Sequence, residues 1–422
     1  MVDENACEKE PVLVGEIDIS AAGNGTRMLL GDLDGDGRME MLLKQPDGGI
    51  DDRYVPHEIQ CMTVFDLEGK QLWQVGELDP EVRGSGADMP AQIWDIDGDG
   101  QLEVVCVMGG QFRVLDGKTG ALKYAHDLPD PDAHDCIVIC NLTGGEFAQD
   151  VILKNRYKKM WAMDKDFNVL WTHECKTGHF PWPHDFDGDG KDEVMAGYDM
   201  LDHDGTKLWS CQPLDDHADC IWVGEVDGLD EPGIVIGGSV TVLYDRKGNE
   251  LWRYHDSKES QHVAMGRFKR DSDEILIAGL DRIERGRDGI DGMFILSSEA
   301  GEEVWKENRT SRGWLTILET VENWDGSGQN YILAYRRRAG LLPGLYDGYG
   351  KRVVTFSTDG NVMFADLLGH GRQDVIVYTH ETAWVYSSEM CDLSSSVLGK
   401  PLRQNKRLSH TTLYPGGEFP EA

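Results

Sequence analysis

The 422-residue chain is short of positive charge, of paired cysteines and of long apolar runs, and each shortage excludes something. It carries 41 Lys and Arg against 76 Asp and Glu, a net charge of −35. Nucleic-acid binding rests on neutralising phosphates with basic side chains, so nucleic acid is excluded as a partner, and an anionic membrane surface with it. The apolar runs are strand-sized, well below the roughly 20 residues of a membrane-crossing helix, so no membrane span is expected. The N-terminal residues show no basic region followed by an apolar stretch, so no signal peptide is visible. Nine cysteines are an odd number without disulfide spacing, and Cys106, Cys136, Cys140 and Cys220 lie in apolar runs. That usage suits reduced thiols and a cytoplasmic home, with secretion the alternative if a signal has been removed.

What the chain does have is a short acidic phrase, met three times almost unchanged. It runs from Asp32 through Asp34 and Asp36 to Glu40, from Asp95 through Asp97 and Asp99 to Glu103, and from Asp185 through Asp187 and Asp189 to Glu193. Carboxylates occupy positions 1, 3, 5 and 9, and position 6 is Gly37, Gly100 or Gly190. Alternate carboxylates around a sharp glycine bend are the chemistry of a Ca²⁺ loop, which needs oxygen ligands in number. An EF-hand would need twelve residues between two helices, whereas an apolar, β-branched run follows each copy here, the mark of a strand. These twelve carboxylates are therefore expected to ligate Ca²⁺ in three strand-flanked loops.

Weaker copies begin at Asn141, Glu225, Arg267, Asn323 and Asp366. A second phrase, a short strand, a turn and a strand bearing an aromatic, follows each copy, as in Val64 to Trp73 and Tyr244 to Trp252. Each unit thus holds about four short strands in roughly 40–45 residues, the period of a propeller blade. Eight starts predict an all-β propeller of eight four-stranded blades, with seven as the alternative because the first and sixth units are long. The ring is expected to take residues 1–422 as one domain. The last unit lacks a strand that Leu13–Ile19 would supply, and 390–422 would form a C-terminal wrap. The copy at Asp366 has lost the acids of positions 3 and 5 and is expected to hold no metal.

A propeller fixes no function by itself. The loops just ahead of the phrases, which lead into the innermost strands, are rich in ionisable groups: Arg27, His134, His179, His184, His217, His262, Arg309 and Arg312. Imidazoles and guanidiniums gathered at one end of so acidic a molecule would make a local anion site, and His is the usual acid or base at neutral pH. Tyr335 begins a stretch with three adjacent arginines, Arg336, Arg337 and Arg338, which suits an anionic ligand. The insertion 45–60, with Asp51, Asp52, Arg53, Tyr54 and His57, could form a further wall.

With His179 ahead of the third acidic phrase and His217 two residues before Asp219, the combination resembles the calcium-containing, eight-bladed rhamnogalacturonan lyases. Smaller propeller lyases that cut rhamnose–glucuronate linkages are an equally close comparison. The resemblance implies a carbon–oxygen lyase acting on an anionic poly- or oligosaccharide. It would remove the proton beside a uronic acid carboxylate and expel the 4-linked sugar by β-elimination, leaving an unsaturated uronate. It implies His179 and His217 as the acid–base pair, His134 and His262 as supports, and Arg27, Arg312, Arg337 and Tyr335 for substrate binding. A monomer is expected. Two other readings compete. One is a non-catalytic, integrin-like or carbohydrate-binding calcium propeller. The other is a quinone-dependent dehydrogenase, whose blade signature is echoed by the turn phrases but to which the acidic phrases are foreign.

Overall fold

The computed structural model describes residues 10–45, 59–80, 91–155, 157–211, 217–257, 260–282, 291–307, 317–336 and 341–395. Thirty-two strands fall into eight antiparallel four-stranded sheets, and the only helices among the described residues are two single 3-10 turns, Ser20–Ala22 and Leu393–Ser395. Eight blades are therefore present, and the seven-bladed alternative is set aside. Much of the extra length of the first and sixth units, at 46–58, 81–90, 283–290 and 308–316, lies outside the described residues.

The innermost strands of blades 1 to 8 are Arg27–Gly31, Ala91–Trp94, Cys136–Cys140, Trp182–His184, Cys220–Gly224, Ser260–Gly266, Ile317–Glu322 and Asn361–Ala365. They read as near-continuous apolar runs because they are covered on both faces. All five residues of Cys136–Cys140 are buried, whereas the outermost strand of the same blade, Val169–Glu174, has none fully buried. Arg27–Gly31 touches both Ala91–Trp94 and Asn361–Ala365, so the first blade meets the last. That last sheet is composite: Val12–Asp18 pairs antiparallel with Thr382–Ser387, and the sheet continues to Asp374–Tyr378 and Asn361–Ala365.

A repeated joint ties four of the blades to their successors. The indole N–H of Trp73 donates to the carbonyl of Gly117 in the next blade at 2.8 Å, and Trp171, Trp209 and Trp252 donate in the same way to His203, Arg246 and Ser298. Each ring lies against the turn glycine of that next blade. A Cβ on Gly248, whose φ is +82°, would come within 2.6 Å of the Trp209 ring. The glycine is thus required twice, for its left-handed backbone and for the indole's approach.

Strand register divides each blade's inner hairpin into two ends. At one end Arg27 faces Lys44, Cys136 faces Lys154, Trp182 faces Met195, Cys220 faces Gly237 and Ile317 faces Tyr335. At the other, Gly31 faces Glu40, Trp94 faces Glu103 and His184 faces Glu193, and there the acidic loops turn the chain.

Candidate functional site

At the end away from the acidic loops, blades 3, 4 and 5 bring four side chains together. His179 sits just before the inner strand of blade 4, and His217 and Asp219 just before that of blade 5. Tyr157 comes from the turn between the second and third strands of blade 3. The two imidazoles meet through their Nε2 atoms at 3.3 Å, and Asp219 Oδ1 lies 3.5 Å from His217 Nε2. The Tyr157 ring packs 4.5 Å from that of His217 and 5.5 Å from that of His179. His179 is only 3% exposed.

The local sequence explains the convergence. Gly178 has a φ of +66°, and a Cβ there would stand 2.9 Å from the Ala218 carbonyl, so glycine lets the two histidine-bearing segments pass close together. His217 and Asp219 are two apart in an extended segment and share one side of it. The Thr177 amide donates to the Tyr157 carbonyl at 3.3 Å, fixing the third segment against the first. Beneath them Lys154 Nζ donates to Asp135 Oδ2 at 2.7 Å and to the Asn155 carbonyl, and both charged groups are fully buried. The nitrogens of His179 and His217 and a carboxylate oxygen of Asp219 lie within 4.8 Å of one another, close enough to share a metal ion.

The remaining sequence candidates are placed as follows. His134 precedes the inner strand of blade 3, next to Asp135. Arg27 and Tyr335 are buried at the same end of blades 1 and 7. His262 is fully buried within the inner strand of blade 6, opposite Leu280. His184 lies at the opposite end, its ring edge against Phe186 at 4.6 Å, beside the third acidic loop. Arg309, Arg312, Arg337, Arg338, most of the 45–60 insertion and the tail beyond Ser395 lie outside the described residues.

The acidic loops share one hydrogen-bond plan. The first Asp accepts the amide of the position-6 glycine, as Asp32 does from Gly37 at 3.1 Å and Asp95 from Gly100 at 3.0 Å. The closing Glu accepts the amide of position 2, as Glu40 does from Leu33 at 2.7 Å and Glu193 from Phe186 at 2.7 Å. One oxygen of each carboxylate is thus spent on the backbone. In the first loop Asp32 Oδ1 is buried without a hydrogen-bond partner. Burial and the neighbouring carboxylates push Glu40 up to about 8, and burial pushes Glu103 and Glu193 up to about 7.

The copies differ in what meets those oxygens. In the second loop Lys123 Nζ stands 2.5 Å from Asp97, 2.9 Å from Glu103 and 3.2 Å from Asp99. Lys123 occupies the place before the outer-strand aromatic that Leu72, Leu208 and Leu251 hold in other blades. In the third loop Asp185 uses both oxygens, on the amides of Gly188, Asp189 and Gly190. In the eighth, His370 Nδ1 accepts the Arg372 amide, and its Nε2 edge lies 3.4 Å from Asp374 Oδ1.

Residues 18–121 and 147–391 match the family described as rhamnogalacturonan lyase family 11, C-terminal domain. The rhamnogalacturonan exolyase YesX of Bacillus subtilis (strain 168) is 24% identical over 430 residues, covering 84% of this chain and 69% of that protein. The rhamnogalacturonan endolyase YesW of the same organism is 24% identical over 433 residues, covering 84% of this chain and 65% of that protein, just under two thirds of its length. The crystal structure of YesX superposes with a TM-score of 0.68 at 18% identity, over 97% of this chain and 80% of that one, a likeness of fold. Tyr157, His179, His217 and Asp219 all lie inside the matched residues, while Lys123, His134 and Asp135 fall in the unmatched stretch between them. By a match that runs through most of its blades, the chain belongs to rhamnogalacturonan lyase family 11.

Proposed function

We propose that this protein cleaves a uronic-acid-containing glycan of the rhamnogalacturonan or rhamnose–glucuronate type by β-elimination, leaving an unsaturated uronate. The observation that carries the reading is the convergence of His179, His217 and Asp219, under Tyr157, within a chain of this family. β-Elimination needs the uronate carboxylate neutralised, the C5 proton removed and the leaving oxygen protonated. His179 and His217 are the groups here able to hold and pass a proton near pH 7. Arg27 and Tyr335 stand at the same end of their blades and are assigned to substrate binding, with Arg312, Arg337, His134 and His262 as further candidates.

The same trio supports a second reading. With both Nε2 atoms turned toward each other and toward Asp219 Oδ1, the three side chains are arranged to hold a divalent cation. Such an ion would supply positive charge for the uronate carboxylate. Tyr157 then buttresses the two rings, and the proton-transfer groups lie elsewhere on this face. One experiment addresses both readings. The protein is incubated with rhamnogalacturonan and with a rhamnose–glucuronate glycan, and the ultraviolet absorbance of the unsaturated product is followed before and after exhaustive chelation. Product that persists after chelation assigns His179 and His217 to proton transfer, and product restored only by added metal assigns them to the cation. No product from either glycan would leave a non-catalytic carbohydrate-binding propeller.

We infer further that the acidic loops bind Ca²⁺ as structural ions, the first loop tightest. Its residues fit: Asp32, Asp34 and Asp36 cluster, Glu40 lies beside them, and among the described residues no lysine meets their carboxylates; Asp32 Oδ1, like Asp95 Oδ1 in the second loop, is buried without a hydrogen-bond partner. Asp95, Asp97, Asp99 and Glu103 must release Lys123, and Asp185, Asp187, Asp189 and Glu193 must turn Asp185, so those two loops should fill at higher Ca²⁺ concentration. The pH dependence has a definite sign. Glu40 binds its proton more tightly folded than unfolded, so its contribution is fully present below about pH 4.5 and is lost as pH rises through about 8. Calcium-free protein should therefore lose thermal stability across that window, and the Tm gain on adding Ca²⁺ should grow. Scanning calorimetry at several pH values checks this; a Ca²⁺ effect that is absent, or independent of pH, would count against it.

A further inference from the structure

Between the outer strand of blade 3 and the third strand of blade 4 lies a second trio that neither the family reading nor the acidic loops absorb. His173 is on the strand Val169–Glu174, Cys175 follows it immediately, and Asp199 opens the strand Asp199–Leu201. One ligand atom from each, nitrogen, sulfur and oxygen, lies within 4.8 Å of the other two. His173 and Cys175 are two apart along extended chain and so point to one side of it. Asp199 reaches them from the neighbouring blade, with Oδ2 at 2.8 Å from His173 Nε2. Ser210 Oγ donates to Asp199 Oδ1 at 2.5 Å, so Oδ1 is engaged and Oδ2 is the oxygen turned toward the pair, with Lys207 Nζ 3.8 Å from it on an exposed side chain. Cys175 Sγ lies 3.5 Å from the Ala196 carbonyl, and its amide is held by the Lys158 carbonyl at 3.0 Å. The His173 and Asp199 side chains are 17% and 11% exposed, so the pair is largely shielded and still reached from solvent.

We propose that His173, Cys175 and Asp199 form a binding site for Zn²⁺ or a similar soft divalent metal, distinct from the Ca²⁺ loops. The donor set makes the selection. Thiolate and imidazole favour Zn²⁺ and its neighbours, whereas Ca²⁺ takes oxygen alone. Zinc bonds of about 2.0–2.3 Å to these atoms place ligand atoms about 3.3–3.8 Å apart around a tetrahedron. The three donors need only small side-chain rotations to reach that spacing, chiefly opening the His173–Asp199 hydrogen bond. Binding replaces the thiol S–H bond by a sulfur–metal bond and releases one proton to solvent. Three protein ligands leave the fourth position for water. The ion would clasp blade 3 to blade 4 four residues ahead of His179, at the root of the segment that carries it. The site stands on its own donors and does not depend on the lyase reading.

The test uses the full chain, stripped of metal, titrated with Co²⁺ alone. The expected result is a thiolate-to-cobalt charge-transfer band in the near ultraviolet that saturates at one equivalent and is displaced by Zn²⁺. Cys175→Ser should abolish the band. His173→Gln should weaken Co²⁺ binding by about 100-fold or more. Cys211→Ser, which removes the other partly exposed thiol of these two blades, should leave the band unchanged. The trio His179, His217 and Asp219 has no sulfur and gives no such band, so cobalt bound there is not mistaken for cobalt bound here. Circular dichroism confirms that each variant folds. Absence of the band in the folded wild-type protein, or its survival in Cys175→Ser, overturns the proposal.

Discussion

Replacing either His179 or His217 by alanine should lower turnover of a uronate glycan by about 10²–10⁴-fold, the loss usual for a positioned acid or base. The two changes together should cost little more than either alone, because the rings act as one unit through their 3.3 Å Nε2 contact. Asn or Gln at either position keeps a polar atom but cannot relay a proton, so it should not rescue transfer. The form of the loss separates the two roles. A proton-transfer pair loses a limb of the pH–rate profile when one member goes, and no added metal brings it back. A cation-holding pair shows instead a raised metal requirement, with part of the rate regained at high metal concentration. Tyr157→Phe keeps the ring that packs on both imidazoles and should retain most activity, whereas Tyr157→Ala should not. Both single histidine variants remaining within about threefold of wild type would sink the assignment.

Asp135→Ala should destabilise the fold by about 3–5 kcal/mol, because it leaves the Lys154 ammonium buried without its counter-charge. Both side chains are essentially inaccessible, at 0% and 1% exposure, so water cannot take the place of the lost carboxylate. Lys154 can still donate to the Asn155 carbonyl, but a neutral acceptor does not replace a carboxylate facing a buried charge. The double change Asp135→Ala with Lys154→Met removes both charges and should recover much of the loss, since well-packed apolar replacements of buried pairs are often tolerated. The turn bearing Tyr157 begins just after Lys154, so the single variant should also loosen the site. Urea denaturation with circular dichroism measures this; a loss under about 1 kcal/mol for the single variant would show that the pair is not held dry.

Much of the architecture was legible because its signals are local. An Asp that accepts amides of its own loop, as Asp32 does from Gly37, writes its structure into nine consecutive residues, and the beat recurs once per blade. The indole-bearing strand and its turn behave likewise. His179 and His217 could be singled out because they precede those beats by six and eight residues, in the loops that lead into the inner strands. Tyr157 and Lys154 escaped notice because they come from the end of the second strand of the preceding blade and the turn after it, where no phrase marks them, while Asp135 stood beside His134 without being assigned a role. Asp219 carried a readable signal, its two-residue spacing from His217, without being assigned a role. His184 was grouped with its neighbour His179, but the strand Trp182–His184 carries it to the far end of the hairpin. Lys123 was invisible as a cation for the second loop because the contact spans 20–26 residues and three strands of its blade.

The joint between blades has a bearing on how such a ring can change size over evolutionary time. Four junctions take an indole from one blade and a turn glycine and carbonyl from the next, as Trp209 does with Gly248 and Arg246. A duplication of one whole period, wherever its breakpoints fall, therefore inserts one donor and one acceptor together and leaves no half-junction behind. Loss of a whole period is equally neutral. Not every junction has this joint: the outer strand of blade 2 carries Tyr124, the facing turn of blade 3 has Phe167 in the left-handed position, and at the composite last sheet Ile17 and Asp18 stand against Gly69. Copy number is thus freest to drift where these joints recur, and least free at the seam where Val12–Asp18 pairs with Thr382–Ser387.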